Sequence, residues 1–412
     1  MKKISIKDVG PIKKVSFELN KVNVLMGPQS SGKSTIAKIV SYCQWVEKRI
    51  ILDGKFDYKV EEQLLNFHRL SANSFSENSL IEYESDFTKI IYEGKKLNQK
   101  IDVKENAEGY KKSKNIYIPS ERNFVSVIPN LGKYKETNDN IMSFLYDWYT
   151  AKRKFLKGNS LKILDFGVNF YNKFDDDLDI LELKESENEI LLREGSSGLQ
   201  SVIPLVLLVE YLTEMIFEEN TASKSISDTD KAKLIFEANI EDFIKYFKQQ
   251  IKLGKGDLLL QAEDISAISK KISLLTLYHS SNLIIEEPEQ NLFPQTQRDL
   301  VYFIINKIKK NEDHSVFITT HSPFILYALN NCMLGYIIKD RIEEDVKNEL
   351  LSKNFWIDPS KASIWQIENG EMYSVIDERS KTVTKHYFNE ITSEIMDEYY
   401  EMLNYFEYAE QD

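Results

Sequence analysis

Residues 27–35 read Gly27-Pro28-Gln29-Ser30-Ser31-Gly32-Lys33-Ser34-Thr35, and they decide how the rest of the chain is interpreted. A continuously apolar stretch, Val22 to Met26, comes directly before them, and apolar residues at helical spacing follow from Ile36. The stretch matches the pattern G-x-x-x-x-G-K-[ST], and strand, glycine loop and helix stand in the order that a phosphate site requires. The sequence therefore predicts a phosphate-binding loop within an α/β fold.

Each residue type in this loop has a task at a bound triphosphate. Glycines let backbone N–H groups face the phosphates, and the start of the following helix adds its positive end. Lys33 neutralises β- and γ-phosphate oxygens, the Ser34 hydroxyl ligates Mg²⁺, and Thr35 assists at the α-phosphate. We therefore expect ATP and Mg²⁺ as cofactors, with residues 27–35 as the binding loop. For stacking on adenine, Phe17 is a candidate.

A second motif, Leu283-Ile284-Ile285-Glu286-Glu287-Pro288-Glu289, is an apolar strand that ends in carboxylates. In a parallel sheet, the carboxyl end of such a strand lies beside the phosphate loop. We expect Glu286 to hold the magnesium ion, usually through water, and Glu287 to act as general base on the attacking water. Adjacent strand residues point to opposite faces, so these roles separate only if the chain turns here, which Pro288 favours. Lys33 and Glu287 are thus catalytic candidates.

Two further stretches complete an ordered set of motifs: Gly195-Ser196-Ser197-Gly198-Leu199-Gln200-Ser201 and, after a predicted strand, His321-Ser322-Pro323. The first resembles the signature motif of ABC ATPases. Residues 286–294, EEPEQNLFP, resemble their Walker B and D-loop region, and residues 318–323, ITTHSP, resemble their switch-histidine strand. From residue 1 to about 330 the chain is similar to the soluble OLD/RecF-like branch (AAA_15/AAA_21-like). ATPase subunits of antiphage defence systems such as Septu and PARIS are found in that branch.

The resemblance implies that the working state is a dimer with ATP held between two subunits. Ser197, Gly198 and Gln200 would reach the γ-phosphate bound to the other subunit. His321 would contact the γ-phosphate in its own subunit, which adds it to the catalytic candidates. Without the resemblance, Ser197 is a helix N-cap and His321 a hydrogen-bonded loop histidine.

Two residues depart from the usual pattern of these ATPases. Leu199 stands where a second glycine is common, and Glu286 replaces a more usual aspartate. Residues 118–123, IPSERN, follow a predicted strand and resemble another motif of the branch. Either Glu121 or Arg122 is therefore expected to face the nucleotide, with an ordinary salt bridge in a turn as the alternative.

The resemblance implies an ABC-type P-loop ATPase head, and with the patterning it predicts an α/β fold with a mixed sheet, an antiparallel β subdomain and a helical insert. Short alternating stretches separated by turn residues predict the antiparallel region at about 81–118. Helical patterns predict inserts at about 130–160 and 221–275. The ATPase domain is expected to span residues 1–330, and a C-terminal α/β tail residues 331–412.

Composition narrows the class of protein. The 412 residues are 42% hydrophobic and 29% charged, near the globular norm, and the formal net charge of −12 argues against a surface that binds nucleic acid everywhere. Cys43 and Cys332 cannot build a disulfide framework. The N-terminus has no apolar leader segment, and no apolar run of about 18 residues would span a bilayer. We therefore expect a cytoplasmic protein.

Several kinds of ABC protein fit the chain poorly. A transporter subunit would use a standard LSGGQ-type signature, and a chromosome-structure protein needs long coiled coils that the sequence lacks. The tail shows no D-x-D motif of a Toprim nuclease. A small-molecule kinase would have no use for residues 195–201.

We therefore expect an ATPase sensor and scaffold that controls a separate effector, such as a nuclease, in antiphage defence. The alternative is a RecF-like clamp of DNA repair that grips DNA directly. Lysines at positions 111, 112, 114, 152, 154 and 157, with Arg153, are either DNA contacts or an ordinary solvated face.

Overall fold

The computed structural model describes residues 2–128, 138–186, 188–217, 277–384 and 386–406. The strands in these ranges are β1 (Lys2–Val9), β2 (Ile12–Leu19), β3 (Val22–Met26), β4 (Phe75–Glu84), β5 (Thr88–Glu93), β6 (Asn98–Val103), β7 (Ser113–Ile118), β8 (Leu161–Ile163), β9 (Val168–Lys173), β10 (Leu178–Leu183), β11 (Asn188–Leu191), β12 (Ser280–Glu286), β13 (Ser315–Thr320), β14 (Ala362–Glu368) and β15 (Glu371–Ser374). The α-helices are α1 (Lys33–Asp53), α2 (Phe124–Val127), α3 (Asn140–Lys152), α4 (Ser197–Glu210), α5 (Pro294–Lys309), α6 (Pro323–Ile338), α7 (Glu344–Glu349) and α8 (Tyr387–Leu403).

One large mixed sheet organises the described chain. Its eleven strands follow the order β6-β5-β4-β1-β2-β15-β14-β3-β13-β12-β7, and β8 to β11 form a separate antiparallel sheet. Strands β14, β3, β13, β12 and β7 pair in parallel. Their carboxyl ends therefore meet at one edge, where ligands bind in sheets of this kind. The predicted α/β class with a mixed sheet is confirmed.

The sheet has an apolar core on each face. All five residues of β3 are buried. Because side chains alternate along a strand, Val22, Val24 and Met26 join the core that contains α4 and α5, whereas Leu25 joins the one that contains α1. β3 is thus fixed from both sides, and it leads directly into the phosphate loop.

The most apolar helical stretch runs through Ser197–Met215, where a π-helical turn extends α4. The expectation that no apolar run is long enough to span a bilayer does not hold for this stretch, which among the described residues is the one helix whose length and composition would allow a membrane crossing. Two thirds of its most apolar window, 67%, is buried inside the protein. Burial of this kind is what the central helix of a globular core shows, and α4 occupies that position here.

Two segments join the sheet in ways that the local patterns did not indicate. In the region predicted as antiparallel, 81–118, strands β4, β5 and β6 do extend the sheet beyond β1, but β7 pairs in parallel with β12 at the opposite edge. The boundary predicted at residue 330 falls inside α6, and the segment beyond it supplies β14 and β15 to the main sheet. The insert predicted at about 221–275 lies outside the described residues, and the described part of 130–160 contains α3.

Candidate functional site

The phosphate loop connects β3 to α1 through three residues with positive φ. These are Gly27 (φ 154°), Ser30 (59°) and Gly32 (103°). A Cβ atom on Gly27 would stand 2.4 Å from the carbonyl oxygen of Ile367 in β14, and one on Gly32 would stand 2.9 Å from Cγ1 of Ile12. Backbone conformation and available space therefore both require glycine at these two positions.

The side chain of Lys33 folds back over this loop from the start of α1. Its Nζ atom donates to the carbonyl oxygens of Gly27, at 2.9 Å, and Pro28, at 2.6 Å. Burial lowers the pKa of Lys33 to about 8, against the opposing effect of three nearby glutamates. The ammonium group is therefore held inside the loop, where a phosphate can take over from the carbonyl oxygens.

The other polar residues of the loop face its open side. Gln29, Ser30 and Ser34 are exposed, and Ser31 and Thr35 are partly exposed. The Ser34 hydroxyl is therefore accessible to a cation at the loop, as the sequence motif requires.

The two carboxylates at the end of β12 separate at a turn. β12 ends at Glu286 with all seven of its residues buried, and Glu287 follows with φ 43°. The backbone N–H of Glu287 donates to the carbonyl oxygen of Thr319, at 2.9 Å, which ties this turn to β13. Glu286 is buried and Glu287 is only partly so. This is the turn that two different roles for the adjacent glutamates need.

His321 contacts this turn in two ways. Its Nε2 atom lies 3.5 Å from Oε1 of Glu287, and its backbone N–H donates to Oε1 of Glu289, at 2.5 Å. Hydrogen bonding by His321 lowers the pKa of Glu287 below its ordinary value, although burial acts in the opposite direction. Glu287 is therefore a carboxylate at neutral pH, the form that can accept a proton.

Several buried oxygens beside these groups have no hydrogen-bond partner within the described residues. They include Oε1 of Glu286, Oγ1 of Thr319 and Oε2 of Glu289. An unpaired buried polar atom is costly, and carboxylate and hydroxyl oxygens suit a hydrated magnesium ion. In the described chain no group of three or more His, Cys, Asp or Glu residues is placed to hold a metal alone. The arrangement thus fits an ion that keeps water and phosphate among its ligands.

Sheet register brings the predicted groups to one edge. Met26 at the end of β3 pairs with Thr320 of β13, and Thr319 pairs with Glu286 of β12. Neighbouring strands lie about 4.8 Å apart, so the loop after β3 and the turns after β13 and β12 are close neighbours. The structure therefore places the phosphate loop, His321 and the two glutamates beside one another.

The signature-like stretch, residues 195–201, lies elsewhere on this edge. α4 begins at Ser197, which is exposed, and the N-cap is Ser196. A Cβ atom on Gly198 would stand 3.1 Å from the carbonyl oxygen of Asn291 in the turn after β12. Gln200 donates from its side chain to two carbonyl oxygens of the preceding loop, at 2.9 and 3.0 Å. No hydrogen bond or ion pair among the described residues joins this stretch to the phosphate loop of the same chain.

Arg122 takes neither of the two roles that the sequence suggested. Its side chain is fully buried, with 0% exposure, and it donates to backbone carbonyl oxygens, including those of Glu286 and Ser201. Glu121 is exposed and accepts a hydrogen bond from Ser120. The expectation that one of the two faces the nucleotide is therefore wrong for Arg122, because its donors are directed into the protein. Nothing in the local pattern of residues 118–123 indicates this burial.

Phe17 is also placed differently from the expectation. It is 5% exposed and packs against Phe317 and Trp365, with ring centroids 6.2 and 4.9 Å away. A ring enclosed in this way belongs to the apolar core and cannot stack on adenine.

A phosphate loop, paired carboxylates and a histidine at the ends of neighbouring parallel strands define a P-loop ATPase fold of the ABC type. The chain belongs to the family described as "AAA domain, putative AbiEii toxin, Type IV TA system", whose model matches residues 22–326. None of the curated proteins matches the sequence.

Three solved structures illustrate the range of similar folds. The SMC head domain from Thermotoga maritima is 11% identical, with a TM-score of 0.38, and the match covers 90% of this chain and 97% of that one. The recombination mediator protein RecF is 13% identical, with a TM-score of 0.31 and coverage of 90% and 97%. An ATP-binding cassette of an ABC transporter in its ADP conformation is 10% identical, with a TM-score of 0.33 and coverage of 92% and 93%.

Proposed function

We propose that the protein binds ATP with Mg²⁺ and hydrolyses it between two copies of the chain. The observation that carries this proposal is the position of Lys33, Glu287 and His321 on the ends of neighbouring strands β3, β12 and β13. A cation, a carboxylate base and a second polar group at one strand edge are the parts that phosphoryl transfer to water needs.

Each of these residues has a defined task in the reaction. The loop amides and Lys33 would bind the β- and γ-phosphates. Ser34 and Glu286 would hold Mg²⁺, which would offset negative charge on the phosphates. Glu287 accepts a proton from the attacking water, since its lowered pKa keeps it ionised. His321 orients the Glu287 carboxylate and, once a nucleotide is bound, contacts the γ-phosphate.

The position of the signature-like stretch supports dimerisation. Ser197 is exposed at the start of α4. α4 begins beside the segment that follows β7. In the sheet, β13 and β12 lie between β7 and β3, so Ser197 and the phosphate loop lie beside the ends of different strands. A second copy related by a two-fold axis would bring its own Ser197 to the open side of the phosphate loop. Two ATP molecules would then be enclosed, and their contacts with both chains would stabilise the dimer.

We further propose that this nucleotide-dependent dimer acts as a sensor and scaffold in antiphage defence, where it holds or releases a separate effector such as a nuclease. Resemblance to the ATPase subunits of Septu and PARIS supports this role. A change between bound and released states is a population shift, which ATP contacts present only in the closed dimer are able to drive.

A mass measurement tests the proposal. We expect the 48.1 kDa chain to double in mass with ATP and Mg²⁺ and to return to monomer as ATP is consumed. Lys33→Ala should stay monomeric and inactive. The product of the neighbouring gene, purified with the chain, should bind in one nucleotide state only. A wild-type chain that neither dimerises nor consumes ATP would contradict the proposed function.

The rival function is a clamp that grips DNA directly. Most of the lysines that were candidate DNA contacts already form ion pairs within the protein. Four form ion pairs: Lys111 with Asp313, Lys114 with Asp147, Lys152 with Asp177 and Asp179, and Lys157 with Glu189. Lys152 is moreover 3% exposed. A clamp should show salt-dependent binding of a 30-base-pair duplex that requires ATP, whereas a defence scaffold should not.

A further inference from the structure

Arg122 joins two parts of the protein that serve different nucleotide sites in the proposed dimer. Its five N–H groups are directed at five backbone carbonyl oxygens. Nε donates to Ser201 at 3.1 Å, Nη1 to Glu286 at 2.9 Å and Pro119 at 3.4 Å, and Nη2 to Glu287 at 3.0 Å and Pro288 at 3.2 Å. A guanidinium group has five donors, so all of them are used.

Burying the charged side chain of Arg122 costs free energy that an apolar side chain would not. Burial lowers the pKa of Arg122 to about 10, and its described hydrogen bonds all go to neutral carbonyl groups. A charge without a bonded carboxylate partner costs far more to bury than an apolar side chain of similar volume. The rigid guanidinium group fixes the positions of three consecutive carbonyl groups, those of residues 286–288. These residues form the turn that carries Glu287.

The other end of the link is the first turns of α4. Pro204 lies inside this helix and has no N–H, so the carbonyl oxygen of Gln200, four residues earlier, lacks its usual helical partner. The Ser126 hydroxyl donates to that oxygen at 2.9 Å. Arg122 binds the next carbonyl along, that of Ser201. The segment after β7 thus holds α4 at two successive backbone groups.

A third contact closes the connection. Nδ2 of Asn291 donates to Oγ of Ser201 at 2.9 Å, and Gly198 packs against the Asn291 carbonyl. The start of α4 and the turn after β12 therefore form one hydrogen-bonded unit centred on Arg122. A displacement of Ser197 by a bound nucleotide would be transmitted to the backbone of Glu287.

We propose that Arg122 is a positioning residue that couples the two ATP sites of the dimer: contact of one subunit's Ser197 with the nucleotide of its partner aligns Glu287 in its own site. This inference rests on the proposed function. It predicts that hydrolysis rises cooperatively with ATP concentration, because each site works well only when the other is filled.

Arg122→Lys tests the coupling. Lysine keeps the charge and part of the volume but loses the fork, so the turn and α4 are no longer held together. We expect ATP affinity to remain within about twofold of wild type. We expect kcat to fall about 100-fold, the scale of a small misplacement at a reacting centre. The Hill coefficient is measured in two copies joined by a linker, so that dimerisation itself adds no cooperativity; it should be above 1 in wild type and fall to 1 in the variant.

Ser281→Ala is the matched control for a purely structural loss. Ser281 is 0% exposed and donates to the Leu212 carbonyl oxygen, away from the strand end that carries the glutamates. It should lower the thermal unfolding temperature while leaving kcat and the Hill coefficient at wild-type values. If Arg122→Lys does not fold, Ser126→Ala takes its place, since it releases the Gln200 carbonyl, and the Hill coefficient should again fall.

The outcomes distinguish a failure of the coupling by Arg122 from a failure of the proposed ATP-dependent dimerisation and hydrolysis. In two copies joined by a linker, where ATP-dependent dimerisation adds no cooperativity of its own, wild-type hydrolysis with a Hill coefficient of 1 overturns the coupling and leaves the proposed function standing. The same holds if the Arg122 or Ser126 variant keeps the wild-type coefficient. If wild type forms no ATP-dependent dimer, both proposals fail together.

Discussion

The Nε2 atom of His321 lies 3.5 Å from Oε1 of Glu287, so the residue after β13 is in contact with the residue after β12. These strands pair in parallel up to Glu286 and Thr319, and the backbone N–H of Glu287 continues the pairing. The carboxylate is thus held by a side chain and by its own backbone. Of the two glutamates, Glu287 is therefore the one whose side chain lies against His321.

Glu287→Gln should leave ATP binding intact and reduce hydrolysis by about two or more orders of magnitude, the usual contribution of a positioned base. The amide keeps the shape of the side chain but cannot accept the proton. Lys33, Ser34 and Glu286 are unchanged, so the dimer should remain closed around ATP. ATPase rate and mass in solution measure both effects.

Glu286→Gln supplies the contrast for this experiment. Glu286 is buried, and its Oε1 atom has no hydrogen-bond partner among the described residues, which suits a metal ligand. Glu286→Gln should bind Mg²⁺ more weakly, so that hydrolysis needs a higher Mg²⁺ concentration, and it should not trap the dimer. A trapped dimer with Glu286→Gln and normal turnover with Glu287→Gln would reverse the two roles.

Ser197→Arg should block dimerisation without blocking nucleotide binding. Ser197 is exposed, and among the described residues it has no hydrogen bond to the phosphate loop, so a long cation there should leave the loop of each subunit unaltered. In the dimer the same side chain would meet the partner's nucleotide site. Binding of a fluorescent ATP analogue should be unchanged while mass stays monomeric. ATP-dependent dimerisation at wild-type affinity would refute the assignment of the signature-like stretch.

Gly27→Ala should abolish ATP binding through lack of space and backbone strain together. A Cβ atom there would stand 2.4 Å from the Ile367 carbonyl oxygen, and φ is 154°. Either the loop or β14 must move. Gly158→Ala is the matched control, because a Cβ atom at Gly158 would meet nothing within 4 Å. Isothermal titration with ATP should find binding in the control only, and binding by both variants would show that the close approach is dispensable.

ATP affinity should fall as pH rises through about 8. Burial lowers the pKa of Lys33 to about 8, so the free protein loses this positive charge above that pH and must regain a proton to bind phosphate. The sign follows because the protonated form is the one that binds. The loss should approach about tenfold per pH unit. Lys33→Ala should bind weakly at every pH, and a flat wild-type profile from pH 7 to 9.5 would contradict the role of this charge.

Local sequence patterns predict those parts of the candidate site that are formed by a single short segment of the chain. The phosphate loop follows from residue types at fixed spacing between a strand and a helix, and β12 ends at Glu286 as the apolar run before two carboxylates indicates. The sheet class follows from the same patterns. These features depend on neighbours in sequence, so the sequence alone exposes them.

Other features depend on pairings between distant segments, which periodicity does not encode. β14 lies beside β3 although more than 300 residues separate them, so the tail could not be recognised as part of the sheet. The sequence predicts that Arg122 faces the nucleotide or forms a salt bridge in a turn, because nothing local shows that five carbonyl groups from three segments surround it. Phe17 was likewise read without Phe317 and Trp365, the rings that enclose it.

The place of β14 in the sheet also sets an order of events during synthesis. β3 leaves the ribosome early, yet its two neighbours, β13 and β14, are translated hundreds of residues later. The Ile367 carbonyl that lies against Gly27 is translated 340 residues (367 − 27) after that glycine. A nascent or prematurely terminated chain therefore carries the phosphate loop without its support. We expect such fragments to be inert towards nucleotide, so that ATP binding becomes possible only after β14 has been made and has paired with β3.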